Sequence, residues 1–475
     1  MKLHKLSKPE DKKNSAILTT DLHNLPKKYF AEEELAYLSD QFENHKVRTF
    51  EFNRLSHWLF VHIADIKDDF TSDAEHFRQL GKQTADRVNK LKLTEIQVIS
   101  SATEAYAAMA FAEGMALASY QFQEYKKAEN KKLNTLETIA VADDRVEEKA
   151  VRHLQILTEA VNRTRDWVNR PLSHLNAEKL AEHIEEVGRD SGAHVEVMNR
   201  KKIESLKMGG LLAVNKGSVD PPTFTVMEWK PEQPVNEKPY VLVGKGVVFD
   251  TGGMNLKPGE YMNNMKMDMA GAATMANVVG AIAKAKLPVH VIALIPATDN
   301  RVNGNAYVTG DVITMYDGST VEVINTDAEG RMIMADALSY AKKFKPSLVI
   351  DAATLTGSAA RAIGGHGIVA MGNSEEEMAM LKESGENVYE RIAEMPFWDE
   401  YAEELKSDIA DVKHLGGAEG GAIHAGKFLE RFTDYPYLHM DIAGVAYFSK
   451  EKSYYGKGAS GYGVRLLFDF FSNRQ

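Results

Sequence analysis

At 475 residues the chain is long enough for two or three domains. Its 44% hydrophobic and 26% charged residues are globular proportions that exclude a disordered or fibrous protein. A formal net charge of −11 disfavours general attraction to nucleic-acid phosphates, and the lack of any cysteine removes disulfides, thiol catalysis, iron–sulfur clusters and cysteine-based zinc sites. The missing cysteine also fits a cytoplasmic location. In chain order, the basic N-terminal stretch MKLHKLSKPEDKKNS is followed by no apolar run, so no secretory signal is expected. Strands are expected at 15–20, 49–52, 58–64 and 95–100, and helices at 73–91 and 102–122. The apolar run 105–119 carries Glu113 and is too short to span a bilayer, so no membrane association is expected. A long helical pattern over 146–168 stops near Arg170-Pro171, because the residue before a proline avoids the helical region. This places a smaller N-terminal α/β domain at 1–150 and a connecting helix with a larger α/β domain at 151–475. In the larger domain, 240–243, 290–295, 321–324 and 347–350 are β-branched runs without polar alternation, as expected for a mostly parallel central sheet buried on both faces. Helices are expected at 270–284, 332–343 and 375–393.

In open α/β sheets, ligands sit outside the carboxyl ends of the strands. The segments that follow the predicted strands concentrate charge among glycines: Gly244 to Lys257, Met265 to Gly271, Asn325 to Arg331, and Asp351 to Gly357. Asp250, Asp268, Asp327 and Glu329 would bring four carboxylates to one edge, and Lys245, Lys257 and Arg331 offset them only partly. Four carboxylates in a cleft of reduced dielectric repel strongly, and two divalent cations would balance them. Hard oxygen donors suit magnesium or manganese, or zinc with more covalency. Each piece alone has an ordinary reading: Lys245 and Asp250 as a surface ion pair, Asp268 as a helix cap, Arg331 as a solvated helix residue. Only their joint placement after successive strands favours a dinuclear metal site. Other chemistries find no support. There is no H-E-x-x-H and no G-x-S-x-G, and the Gly421 to Lys427 segment has Phe428 where a phosphate loop needs Ser or Thr.

The segment Asn325-Thr-Asp-Ala-Glu-Gly-Arg331 resembles the signature of the leucyl aminopeptidase family of dinuclear metallopeptidases. Further blocks match in the same order: Val243 to Gly253, Lys257, Met267 to Ala272, Gly304 to Tyr307, Gly310 to Val312, Asp351 to Gly357, Asp441 to Gly444 and Gly461 to Leu467. The resemblance covers roughly residues 160–475, and the N-terminal third shows little of it. It implies a metal-dependent aminopeptidase that releases N-terminal residues, leucine and other apolar ones, by attack of a metal-bridging water. It also implies two divalent ions per subunit, Mn²⁺ or Zn²⁺, held by Lys245, Asp250, Asp268, Asp327 and Glu329, with Asp250 and Glu329 bridging. Lys257 and Arg331 are implied as catalytic cations that bind no metal, with bicarbonate at Arg331 relaying a proton. Met265, Asn325, Thr354, Leu355, Gly357 and Ala446 are implied to bind substrate. Ala446 stands where a larger apolar residue is common in the family, which would widen the pocket. Peptide substrates, a homohexamer and a cytoplasmic location complete what the resemblance implies. The N-terminal domain would then serve oligomer contacts or control of access.

Overall fold

The computed structural model describes residues 1–474. The chain divides into two compact units, one made of Met1–Glu159 with Lys450–Gly456, the other of Ala160–Ser449 with the segment from Lys457 onward. The division falls inside the helix Glu148–Asn169. No helix among the described residues is long and apolar enough to cross a membrane.

The first unit carries a six-stranded sheet in the order Lys2–Lys5, Thr138–Val141, Glu95–Ser100, Ser15–Thr19, Trp58–Ile63 and Thr49–Asn53. All pairs are parallel except the last. Two helices, Phe70–Lys90 and Ala107–Ala118, pack closely together, and the buried Arg78 guanidinium donates to Glu113 over 2.6 Å. The second of these helices is shorter than the apolar run predicted. Its first N–H is taken by the Glu104 carbonyl in a turn, so helix begins only at Ala107.

The second unit is built on a nine-stranded sheet. Along it lie Ile392–Glu394, Ile368–Gly372, Tyr437–Asp441, Leu348–Ala353, Tyr240–Gly244, Val291–Asn300, Thr223–Trp229 and His194–Met198, and Gly246–Asp250 pairs with Val291–Asn300. The five strands Tyr437–Asp441, Leu348–Ala353, Tyr240–Gly244, Val291–Asn300 and Gly246–Asp250 form a parallel centre. Antiparallel pairs flank it on both sides. All ten residues of Val291–Asn300 are buried, which accounts for its lack of polar alternation. Val241 and Val243 join the core around the helix Glu329–Ala341, whereas a Cβ on Gly244 would meet Ala272 of the helix Ala270–Ala285. Successive residues of a strand face opposite ways, so the two helices cover opposite faces of the sheet.

Two expected elements are redrawn. The run 321–324 is no central strand: Thr320–Glu322 lies in a separate three-stranded sheet between Val312–Thr314 and Val412–Lys413. A short β-branched run looks the same in either place. The helix expected over 375–393 ends at Asn387, where Tyr389 turns left-handed at φ 58°, and Ile392–Glu394 becomes an edge strand.

The helix Ala270–Ala285 is made almost wholly of small residues, and this lets it lie directly on the sheet. A Cβ on Gly271 would stand 2.0 Å from the Ala352 carbonyl oxygen, which is backbone and cannot swing aside. Gly271→Ala should therefore cost about 1–3 kcal/mol through overpacking, read as a lower urea midpoint. Gly304→Ala, which meets nothing within 4 Å, should leave the midpoint unchanged.

Candidate metal centre and active site

Parallel strands deliver their carboxyl ends to one edge, and there the charged loops meet. Lys245 is the one residue between Tyr240–Gly244 and Gly246–Asp250. Its N–H donates to the Ala352 carbonyl and its own carbonyl accepts from Ala272, which fixes its backbone between a strand and a helix. The Lys245 Nζ, 3% exposed, lies 2.8 Å from Asp268, 3.0 Å from Glu329 Oε1, and donates to the Thr354 carbonyl over 3.0 Å. Gly330 makes room for it, since a Cβ there would stand 2.4 Å from Lys245 Cε.

Asp250 ends its strand. Its Oδ1 accepts from the Gly252 N–H at 2.8 Å and from Asn300 Nδ2 at 2.9 Å, and its Oδ2 lies 2.7 Å from Lys257 Nζ. Asp268 does not cap the helix that follows; Met269 occupies that place without a side-chain bond. The Asp268 carboxylate turns instead to Lys245 and to the Thr354 hydroxyl, which donates over 2.8 Å. Asp327 sits in the turn Thr326–Ala328 and Glu329 opens the helix Glu329–Ala341. These two therefore arrive from the small sheet, not from the central one as the sequence reading expected. Asn325 Oδ1 accepts the Asp327 N–H at 2.8 Å, and the Thr326 hydroxyl donates to the Gly252 carbonyl over 2.6 Å, which stitches this turn to the Asp250 loop. Lys257 Nζ closes the gap, 2.6 Å from Asp327 Oδ1. The sequence reading missed Asn300 and gave no role to Thr326 and Asn255 within the blocks it marked; these are single polar residues whose importance comes from the loops they tie together.

Charge at this edge is strongly perturbed. Burial, and then the neighbouring carboxylates, push Asp268 and Glu329 up, against the pull of the lysines. Burial and the Asp250 charge raise Asp327 to about 7. Burial disfavours the charged form of both Lys245 and Lys257, yet the surrounding carboxylates outweigh it and drive both up. Carboxyl oxygens of Asp250, Asp327 and Glu329 all lie within 4.8 Å of one another, and Glu329 Oε2 is buried without a hydrogen-bond partner. Even with two ammonium groups among them, Asp268, Asp327 and Glu329 resist ionisation. Such a donor set, hard oxygens with an amine, fits a divalent cation.

Arg331 is no solvated helix residue. It is 4% exposed, its Nη1 donates to the His414 carbonyl over 2.6 Å, and its Nε is buried without a partner. Burial lowers it to about 10, although Glu329 and Asp441 favour its charge. A cleft of about 440 Å³ opens beside it, lined by Asn325, Asp327, Arg331, Leu355 and Gly357 and by Gly416 and Gly417. Of the other expected substrate residues, Thr354 is buried behind Asp268, Met265 is half-buried in the preceding turn, and Ala446 is buried with its carbonyl accepting from Ser460. None of these three lines this cleft.

The family model for the catalytic domain of the cytosol aminopeptidase family matches residues 162–468. The chain belongs to the cytosol aminopeptidase family. The model for the family's N-terminal domain matches residues 68–129, so the kinship extends into the third where the sequence showed little of it. A protein of Chlorobaculum parvum named probable cytosol aminopeptidase is 50% identical over 322 residues, which span 67% of this chain and 63% of that one. One of the same name from Syntrophotalea carbinolica is 42% identical over 403 residues, 83% of this chain and 80% of its own. Among solved structures, the bottromycin maturation enzyme BotP in complex with Mn superposes with a TM-score of 0.85 at 26% identity, covering 98% of this chain and 99% of its own. A tomato leucine aminopeptidase shares the fold, with a TM-score of 0.85 at 24% identity over 99% of this chain and 96% of its own. By family the chain is thus a metal-dependent aminopeptidase, a hydrolase of peptide bonds.

A carboxyl group that holds its proton up to about 7 must lose it before it can bind a metal. Cation affinity should therefore fall as pH drops below 7, by roughly tenfold per unit for each proton displaced. Chelator-competition titrations at pH 6, 7 and 8 measure this, and an affinity independent of pH across that range would contradict the assignment.

Proposed function

We propose that this chain removes N-terminal residues from peptides, leucine and other apolar residues foremost, using two divalent ions held by Lys245, Asp250, Asp268, Asp327 and Glu329. The observation that carries this reading is the convergence of Asp250, Asp327 and Glu329 oxygens within 4.8 Å, with Lys245 and Lys257 set between acids and Asp327 itself lining a cleft of about 440 Å³. The donor chemistry suits manganese or zinc, and the manganese in the BotP structure supports the first.

The ions, when bound, supply Lewis acidity toward the scissile carbonyl and lower the pKa of water. The chain's own residues do the rest. Lys245 can coordinate only as the neutral amine, so its ammonium must give up a proton on loading. Lys257 remains an ammonium, and its position between Asp250 and Asp327 suits it to stabilise the oxyanion that develops on the substrate carbonyl. With the four carboxylates committed to cations, none is left as general base. Arg331 offers a planar fork beside the cleft, which suits bicarbonate as the proton relay. A free α-amine is a good ligand and an internal amide nitrogen a poor one, which restricts cleavage to N-termini. Asn325, Leu355 and Gly357, which line the cleft, are the residues assigned to contact the substrate; Met265, Thr354 and Ala446 are assigned to the first side-chain pocket on the family resemblance alone. A homohexamer in the cytoplasm is the assembly and location this reading carries over from the family.

Chelation should abolish leucinamide hydrolysis by the full chain, and Mn²⁺ or Zn²⁺ should restore it. Lys257→Ala should lower kcat by about 10²–10³ while the metal content of the protein holds. Asp250→Ala should lose both activity and metal. Metal analysis beside steady-state kinetics separates the two, and equal metal loss in both variants would contradict the roles assigned.

A further inference from the structure

His414 lies in a strand-and-loop segment far along the sequence from the Asn325–Arg331 turn, yet it is bonded to that turn at two points and to Ile324 just before it at a third. Its Nδ1 accepts from the Ile324 N–H at 3.2 Å, its Nε2 lies 2.9 Å from the Asn325 carbonyl, and its own carbonyl accepts from Arg331 Nη1 at 2.6 Å. A ring nitrogen that accepts from a backbone N–H carries no proton, and one that faces a carbonyl must carry one. The ring is therefore neutral, protonated on Nε2 only. It is fully buried, and its own backbone N–H donates to Glu322 O over 3.2 Å, continuing the pairing between Thr320–Glu322 and Val412–Lys413. Burial and the nearby Arg331 charge depress it to about 3, consistent with a ring that stays neutral.

We propose that His414 is the positioning residue of Arg331: its neutral imidazole ties the entry of the Asn325–Arg331 turn to its own backbone, and so presents the carbonyl that aims the guanidinium into the cleft. Arg331 Nη1 is held, Nε is buried with no hydrogen-bond partner of its own, and the residue lines the cleft. The inference rests on the proposed role of Arg331 and deepens it. A backbone carbonyl is a useful anchor because it accepts without adding a charge that would neutralise the arginine. The imidazole here acts as an acceptor and a donor side by side. A carboxamide offers the same pair, whereas a carboxylate offers acceptors only and an alkyl group neither.

The test uses the full-length, manganese-loaded protein and leucinamide. His414→Leu should lower kcat by about tenfold or more with KM and metal content unchanged, and His414→Asn should recover kcat to within about threefold of the parent. If the leucine variant does not fold, His414→Asp replaces it and should show the same loss. In an Arg331→Ala background, the His414 substitution should cost little further, because both act through one guanidinium. Losses that multiply, or an unchanged kcat in His414→Leu, would overturn the role of His414 alone. Normal turnover by Arg331→Ala would overturn the relay reading and, with it, this inference. Independently of activity, the ¹⁵N histidine spectrum should contain a ring that is protonated on Nε2 only from pH 5 to 8 and that disappears in His414→Asn. A doubly protonated or Nδ1-protonated ring at that position would refute the proposal.

Discussion

Mutual repulsion among Asp250, Asp268, Asp327 and Glu329 is the constraint around which the catalytic unit is arranged. Buried carboxylates this close do not ionise together without compensation, and the fold supplies part of it through two lysines, each bridging two acids. Both lysines are driven up by these partners, and three of the acids remain raised in spite of them. The imbalance is what a pair of divalent ions would relieve. It also explains why so much neutral hydrogen bonding surrounds the acids: Asn300 and the Gly252 N–H on Asp250, the Thr354 hydroxyl on Asp268, the Asn325 side chain beneath Asp327. Dipoles fix the carboxylates without cancelling their charge.

Geometry of this kind demands a scaffold that does not yield. The parallel centre of the sheet brings Lys245, Asp250, Asn300 and Thr354 to one edge, and helices of small residues press against it closely enough for backbone to touch backbone. Gly271 lets the helix behind Asp268 reach the strand that carries Thr354. Gly330 serves the site itself, leaving the space through which the Lys245 side chain passes. A methyl group would displace the Ala352 backbone at Gly271 and the Lys245 side chain at Gly330, so the place of these glycines in the sequence blocks follows from distance more than from backbone freedom.

The charged side chains that converge at this edge were legible in the sequence because the loops that follow strands concentrate glycine and charge. The two-unit α/β character was legible from strand and helix periods. What the sequence hid was of two kinds. Strand identity was one: the run at 321–324 has the composition of a central strand but belongs to a satellite sheet, since β-branched residues record burial and not partners. The other was the set of neutral tethers. Asn300 and His414 carry no local pattern, Thr326 stands in the signature without any sign of its own role, and each gains that role only when segments far apart in the chain meet. Asp351 shows the converse. It opens a block that marks the family, yet its carboxylate turns away from the acids and is taken by His439 Nδ1 at 2.6 Å and by the Tyr437 hydroxyl, between neighbouring strands. An acid in the right block is therefore not by that fact a ligand.

Lysine is an unusual choice beside a metal centre, and the electrostatics give a reason for it. Another acid at position 245 would leave the edge with more net negative charge before any cation arrived. An ammonium contributes a positive charge to the cation-free site, and Lys245 spends it on Asp268 and Glu329, holding the central strands, the turn before Ala270–Ala285 and the start of Glu329–Ala341 in register. When a cation takes over that charge, the same side chain can shed its proton and remain as a neutral donor. The proposed loading would thus call on one arrangement of backbone in two charge states. That economy is open to lysine alone among the common side chains, because only its donor atom passes from cation to neutral ligand at the end of a stem long enough to reach both acids.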